Sequence, residues 1–337
     1  MKKERLFYLD FIRAIATVAI VLTHFNAIYL YQGIPERAVL TLTVSNIYIG
    51  DWGVSLFFII SGASLMYVYE EKCELKSFYK KRFFSIYPMF WIAYAVAFLY
   101  RFYQYKGVNN GAPKISMLLT VIGFDGYLSE IFPSFYILGE WFLGCIILVY
   151  LLFPFLRKMV NEHPKVLLLV TAAVYVCILL FYDLPLLQSK FVFTRVPEIL
   201  MGMYFVKYIK KVRWPAALAA LVVLIANWLI KPSWSQTLQT TYVGIATFLL
   251  LVFLSYFVKF KCIEKPCSLV SKYSYAVFLV HHVIIYDMMG TFNLMELKTI
   301  ENYILFLAVS GVIGLFAYLL HCLHKCVMAF VTECFAK

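Results

Sequence analysis

The sequence predicts an all-α membrane protein, a polytopic bundle of about ten transmembrane helices that forms a single domain over residues 1–337. Composition is the first reason: 63% of the residues are hydrophobic and 14% are charged, whereas about a quarter of the residues in soluble domains are charged. The second reason is a series of apolar runs of roughly membrane length, bounded by charged or turn-forming residues. These runs cover residues 6–31, 46–69, 83–103, 134–156, 165–182, 191–209, 215–230, 237–258, 271–290 and 302–323.

The distribution of basic residues predicts the orientation of the bundle. If the N-terminus is inside, 21 of the 30 lysines and arginines lie on the cytoplasmic side and seven lie outside, which is the bias that membrane proteins show. Both termini are therefore expected in the cytoplasm. The same residues account for the net charge of +12. Because they are spread over separate loops, they do not indicate a nucleic-acid surface.

The first run, 6–31, contains ionisable residues that membrane helices usually exclude. Asp10, Arg13 and His24 lie within about 60° of one another around a helix. An Arg or Asp at the centre of such a helix opposes insertion by about 2.5–3.5 kcal/mol. The polar stripe therefore predicts a functional cavity. In the alternative interpretation Asp10 and Arg13 only neutralise each other, which leaves His24 unexplained.

Two features mark the next two runs. Ser61 and Gly62 lie near the middle of run 46–69, where small residues allow close helix approach or a break that lines a cavity. The loop that follows ends in Lys80, Lys81 and Arg82. These cations would bind phosphate groups at the cytoplasmic rim, but they serve equally well as an orientation signal.

The segment 115–122 is apolar but too short to span a membrane. It predicts a re-entrant or interfacial helix that caps an outward-facing cavity.

Charged residues also occur where the later runs begin. Glu140 and Trp141 open the fourth run, and Arg195 and Glu198 lie three residues apart in the sixth, where they could pair. An aromatic ring beside charges suits a sugar-like acceptor, although Trp141 could equally belong to the interfacial aromatic belt. His281 lies about halfway across the ninth run, and a second membrane histidine indicates a proton-handling cavity.

Five stretches, in this order, resemble the acyltransferase 3 family of integral-membrane acyltransferases, which includes O-acetyltransferases of bacterial surface polysaccharides. The stretch YLDFIRAIATVAIVLTHF resembles the family's first helix, in which an Arg is followed after ten further residues by a His, here Arg13 and His24. The others are GVSLFFIISG, KKRFFSIYP, RVPEILMG and SYAVFLVHH. Two departures occur: Ser55 replaces an acidic residue of many relatives, and Glu140 precedes Trp141 whereas the family's Glu follows its Trp.

The resemblance implies an acyl-CoA donor that enters from the cytoplasm as a substrate, and acetyl-CoA is the expected one. No metal is expected. The acceptor would be a hydroxyl of a glycan or lipid-linked sugar. His24 would take the acceptor's proton or carry the acyl group, since a neutral imidazole suits both roles. The expected catalytic group is His24, Arg13, Asp10 and His281; the donor site is Lys80, Lys81, Arg82, Tyr87 and Ser61; and the acceptor site is Glu140, Trp141, Arg195 and Glu198.

Two rival functions remain open at this point. A proton-coupled transporter or glycan permease would use His24, His281, Asp10 and Arg13 as a relay, although no inverted repeat is visible in the sequence. An acyltransferase that acts on an amine or a lipid head group would need the same residues. The expected location is the inner (plasma) membrane of a bacterium, among membrane lipids and without a nucleic-acid partner.

Overall fold

The computed structural model describes residues 4–106 and 111–335, and most of these are helical. Within them, eight helices are long and apolar enough to cross a membrane. They are α1 (Phe7–Tyr31), α2 (Ile49–Tyr69), α3 (Leu75–Tyr105), α5 (Glu140–Glu162), α6 (Pro164–Phe181), α9 (Gln236–Ser255), α10 (Lys261–Met289) and α11 (Thr299–Phe335). The all-α class is thus confirmed.

The other two predicted runs form shorter helices. The run 191–209 gives α7 (Val192–Tyr204), which continues into one π-helical turn, and the run 215–230 gives α8 (Trp214–Ile230). Pro197 lies inside α7, where it removes one backbone hydrogen bond. Within the described residues eight helices thus reach 18 residues or more with apolar composition, and the count of about ten spans stays a prediction.

Three further elements are short. The strands β1 (Thr43–Val44) and β2 (Ile47–Tyr48) form an antiparallel hairpin just before α2. The helix α4 (Met117–Val121) lies within the predicted segment 115–122. The two strands contain two residues each, so the described part of the chain has almost no sheet.

The chain forms two compact units, each assembled from three stretches. The first unit contains the residues up to Ile20, Thr41–Leu75 and Cys145–Lys272. The second contains Val21–Leu40, Lys76–Gly144 and the residues from Tyr273 onward.

In the first unit, α2 packs closely against α7. A Cβ added to Gly62 would overlap the backbone carbonyl of Ile199, and one added to Gly202 would overlap that of Ile59. Glycine permits such close approach between membrane helices, which supports the packing interpretation of Gly62. Ser61 beside it is half-buried, and its donor-binding role stays a prediction.

In the second unit, the segment around α4 lies against the middle of α3. The Tyr87 hydroxyl donates a hydrogen bond to the Ile122 carbonyl at 3.0 Å, and the Trp91 indole donates one to the Val121 carbonyl at 2.9 Å. Tyr87 and Trp91 are near the centre of this 31-residue helix. A short apolar segment at that level favours the re-entrant arrangement over the interfacial one.

Candidate active site

Three helices bring ionisable side chains together in the second unit: His24 on α1, Glu140 at the start of α5 and His282 on α10. The Nδ1 atom of His282 lies 2.8 Å from the Oε1 atom of Glu140. The ring centroids of His24 and His282 are 5.1 Å apart, and potential ligand atoms of all three residues lie within 4.8 Å of one another. We call these three residues the histidine–glutamate cluster.

The contact between His282 and Glu140 orients the imidazole. Its Nδ1 atom faces the carboxylate at 2.8 Å, and Nε2 takes no part in this contact. The side chains of His282 and Glu140 are 21% and 16% exposed, so solvent and salt screen the interaction less than at an open surface. A carboxylate that orients an imidazole in this way is a recurrent arrangement in acid–base catalysis.

Glu140 occupies a strained backbone conformation. Its φ is +38° and that of the preceding Gly139 is +101°, in a region that non-glycine residues seldom adopt. A Cβ added to Gly126 would lie 2.8 Å from the carbonyl carbon of Glu140, so the preceding loop packs tightly on this backbone. Such strain costs about 1–3 kcal/mol and concentrates at functional sites.

Tyr136, in the loop before α5, completes the surroundings of Glu140. The two side chains are hydrogen-bonded, and the tyrosine ring stacks on His282 with centroids 6.4 Å apart. Burial, followed by the negative charge of Glu140, raises the pKa of Tyr136. The phenol therefore stays protonated at neutral pH and donates to the carboxylate.

His281 has a different environment from His282. It is fully buried, and its ring centroid lies 4.8 Å from that of His24. Its Nδ1–H donates to the Phe278 carbonyl oxygen at 2.8 Å. The structure thus brings the predicted pair His24 and His281 together, but it gives the contact with the carboxylate to His282.

The histidine–glutamate cluster also contains the kinds of ligand atoms that form metal sites. Two imidazoles and a carboxylate bind zinc in many enzymes, and the cluster offers these donors. Two of the candidate atoms, on His282 and Glu140, already lie 2.8 Å apart, a distance that also suits a proton-transfer site. The expectation of a metal-free enzyme stays a prediction, tested by metal analysis of the purified protein.

Asp10 and Arg13 belong to a second polar cluster, in the first unit. Arg13 donates to the hydroxyls of Ser64 at 3.2 Å and Ser271 at 3.1 Å. The Ser271 hydroxyl donates to Asp10 at 2.6 Å, and Asp10 also pairs with Arg5. Ser271 therefore links Asp10 to Arg13, and the idea that these two charges merely neutralise each other does not account for the additional partners.

The predicted donor residues on α3 differ in their accessibility. Lys80 and Lys81 are exposed, whereas Arg82 is half-buried with its guanidinium 5.9 Å from the Phe78 ring centroid. The Tyr87 hydroxyl donates its hydrogen bond to the Ile122 carbonyl, just after α4. The two lysines are thus available to a ligand, and Tyr87 contributes to packing.

The predicted acceptor residues fall into two pairs, one in each compact unit. The predicted pairing of Arg195 with Glu198 is confirmed at 3.2 Å, with 1% and 0% of the side chains exposed, and Arg195 also donates to the Ser189 carbonyl at 2.7 Å. This pair lies in the first unit, whereas Glu140 and Trp141 lie in the second. Because the pair has almost no accessible surface, its acceptor-binding role stays a prediction without structural support.

Sequence reasoning missed two members of the site. His282 directly follows the predicted His281, and the paired histidines in SYAVFLVHH were the signal that either could face the cavity. Tyr136 lies four residues before Glu140 and carried no comparable signal, because aromatic residues are common throughout this chain.

One family of known proteins matches most of this chain. The acyltransferase 3 family, described as an acyltransferase domain, matches residues 6–322. Comparison with curated proteins and with solved structures gives no match. The family match covers both compact units and all three residues of the histidine–glutamate cluster. This chain therefore belongs to the acyltransferase 3 family and is a multi-pass membrane acyltransferase by that membership.

Proposed function

We propose that this protein is an O-acyltransferase that moves an acetyl group from cytoplasmic acetyl-CoA to a hydroxyl of a cell-surface or lipid-linked glycan. The observation that carries the proposal is the histidine–glutamate cluster, in which two imidazoles and a carboxylate meet inside a membrane bundle. Membership of the acyltransferase 3 family supports acyl transfer over transport as the use of these groups.

The proposed reaction uses His24 as the general base. Its imidazole takes the proton of the acceptor hydroxyl, whose oxygen attacks the thioester carbonyl carbon of acetyl-CoA. The carbon–sulfur bond breaks, and the proton passes from His24 to the CoA thiolate, so the products are the acetyl ester and free CoA. General-base catalysis of this kind contributes about 10² to 10⁴ in rate.

Glu140 and His282 support this base. The negative charge of Glu140 favours the imidazolium that forms at His24 during transfer, as preorganised charges do in other enzymes. Tyr136 and the strained turn at Gly139 keep the carboxylate in place. His282 lies beside His24 and is oriented by Glu140. Its ring therefore extends the electrostatic effect of the carboxylate to His24.

The donor contacts are proposed for the exposed end of α3. The phosphates of CoA would meet Lys80 and Lys81, with Arg82 as a bidentate partner. Arg13, eleven residues before His24 on the same helix, keeps its proposed catalytic role, because two serine hydroxyls hold its guanidinium in one orientation.

Membrane vesicles of known orientation test the proposal. Impermeant radiolabelled acetyl-CoA is given to inside-out and right-side-out vesicles, and label in the acid-precipitated glycan fraction is counted. Activity in the inside-out vesicles alone is expected, because only their cytoplasmic face meets the donor. Activity confined to right-side-out vesicles of verified topology would overturn the proposed sidedness, and the absence of any transfer or hydrolysis by purified protein would overturn the function.

A further inference from the structure

A deep apolar groove lies in the second unit, where α3, α10 and α11 border it. Its volume is about 540 Å³, in the range of pockets that hold small ligands. Leu138, Leu279 and Leu320 line it and are 2%, 0% and 7% exposed. From Leu279 to Met288 the groove follows α10 for about 13 Å at 1.5 Å per residue.

One end of the groove is polar. Tyr100 and Asp287 line it there, and their side chains are hydrogen-bonded. The rest of the lining is aliphatic or aromatic. Asp287 is the charged residue of this lining and lies two residues before α10 ends at Met289, and its carboxylate retains acceptor capacity beyond the bond from Tyr100.

The groove and the histidine–glutamate cluster use different faces of α10. Val280, Val283 and Asp287 fall within about 60° of one another around the helix, and His282 points about 130° away from their mean direction. Tyr286, next to Asp287, contacts His282 with ring centroids 4.6 Å apart. Asp287 lies only five residues, about 7.5 Å along the axis, from His282.

We propose that this groove binds the aliphatic chain of a lipid-linked sugar and that Asp287 accepts hydrogen bonds from hydroxyls of its sugar. The apolar lining matches the chain, and the carboxylate of Asp287 accepts hydrogen bonds from hydroxyl groups. The sugar held at Asp287 then lies about 7.5 Å along the axis of α10 from His282 and on another face of the helix, with Tyr286 between the two. This inference rests on the proposed function, since it assigns the acceptor of that reaction to a lipid.

Photo-crosslinking in phosphatidylcholine vesicles tests the inference. The probe is an alkyl β-glucoside with a diazirine in its chain, and the matched probe carries the same chain on a permethylated glucose. Peptide mapping of the full-length protein should find the glucoside on the groove segments of α3 and α10 at least threefold more than its permethylated counterpart. Val283→Trp, which fills the groove, should abolish this labelling. The control Leu307→Trp, at a 69% exposed position of α11 outside the groove lining, should leave it unchanged.

A second variant separates the chain from the sugar. Asp287→Ala should keep the chain in the groove but reduce the preference for the glucoside to near unity. Equal labelling of the wild type by both probes would overturn the inference, because the groove would then hold ordinary bilayer lipid. Labelling that survives in Val283→Trp would overturn it too. The crosslinking needs no donor, so loss of acetyl transfer with labelling intact would contradict the proposed function and leave the lipid site standing.

Discussion

The histidine–glutamate cluster and the Arg195–Glu198 pair both place ionisable side chains on membrane helices, but they differ in how much of those side chains is accessible. Arg195 and Glu198 are 1% and 0% exposed and bond to each other. In the cluster, Glu140 and His282 keep 16% and 21% of their side-chain surface, and Nε2 of His282 takes no part in the contact with Glu140.

The backbone conformations of the cluster and of the Arg195–Glu198 pair also differ. Glu140 has a φ of +38°, a strain that persists only where the surroundings enforce it. The Arg195–Glu198 pair lies on α7, where no non-glycine residue has a positive φ, and this helix packs on α2 through glycine contacts. Residual accessibility and backbone strain are therefore the two features that separate the proposed reactive cluster from the fully buried pair on α7.

The largest expected effect comes from His24→Ala, which should reduce acetyl transfer at least 100-fold while leaving the melting temperature unchanged, since general-base catalysis contributes about 10² to 10⁴. Turnover of radiolabelled acetyl-CoA in proteoliposomes measures it. His163→Ala, at an exposed histidine just before α6, is the matched control. Retention of more than a tenth of the activity would remove His24 from the role of base.

The Arg195–Glu198 pair should respond in the opposite way. Arg195→Ala should destabilise the protein by about 3–5 kcal/mol, because it leaves a buried carboxylate without its partner. The double variant Arg195→Met with Glu198→Leu should recover most of the folded yield. Thermal unfolding in detergent and activity per folded molecule are the measurements. If Arg195→Ala folded normally but lost activity, the predicted acceptor-binding role of Arg195 and Glu198 would be supported instead.

Glu140→Gln should lower the turnover number about 10- to 100-fold with little change in folded yield. The amide keeps the shape of the side chain but loses the charge that favours the imidazolium at His24. Glu162→Gln, at the far end of α5 where the side chain is 52% exposed, should behave as wild type. If both variants keep full turnover, the cluster does not depend on a carboxylate.

Gly126→Ala should lower the turnover number about tenfold. The added Cβ would lie 2.8 Å from the Glu140 carbonyl carbon and shift the carboxylate, and small displacements in an active site cost up to about 10² in rate. Gly311→Ala, where a Cβ meets no atom within 4 Å, is the control. An unchanged rate would show that the loop does not position Glu140.

The smallest expected effect concerns Asp125, in the same loop. Burial raises the pKa of this carboxyl from 3.8 to about 6, so its contribution to stability is present below pH 3.8 and is lost as the pH rises through 6. Asp125→Asn should therefore raise the melting temperature by a few degrees at pH 8 and leave it nearly unchanged at pH 4. A lower melting temperature at pH 8 would mean that the ionised carboxylate stabilises the loop.

The sequence alone was sufficient to predict the positions of most helices and the ionisable residues of α1. Runs such as 6–31 and 237–258 predicted α1 and α9 closely, because a membrane-length apolar stretch must satisfy its backbone hydrogen bonds internally. The cost of ionisable groups in such a stretch also singled out Asp10, Arg13 and His24. These inferences are local, since they depend on residues within one helix.

Tertiary structure decided which of these groups meet. Glu140 and His282 are 142 positions apart in the sequence, and their contact depends on how α5 and α10 pack. Which of His281 and His282 faces the carboxylate depends on the rotation of α10, which two adjacent histidines leave undetermined, and the close packing at Gly62 and Gly202 depends on a partner helix. Helical periodicity fixes the face that a residue occupies, and only packing between helices fixes what that face meets.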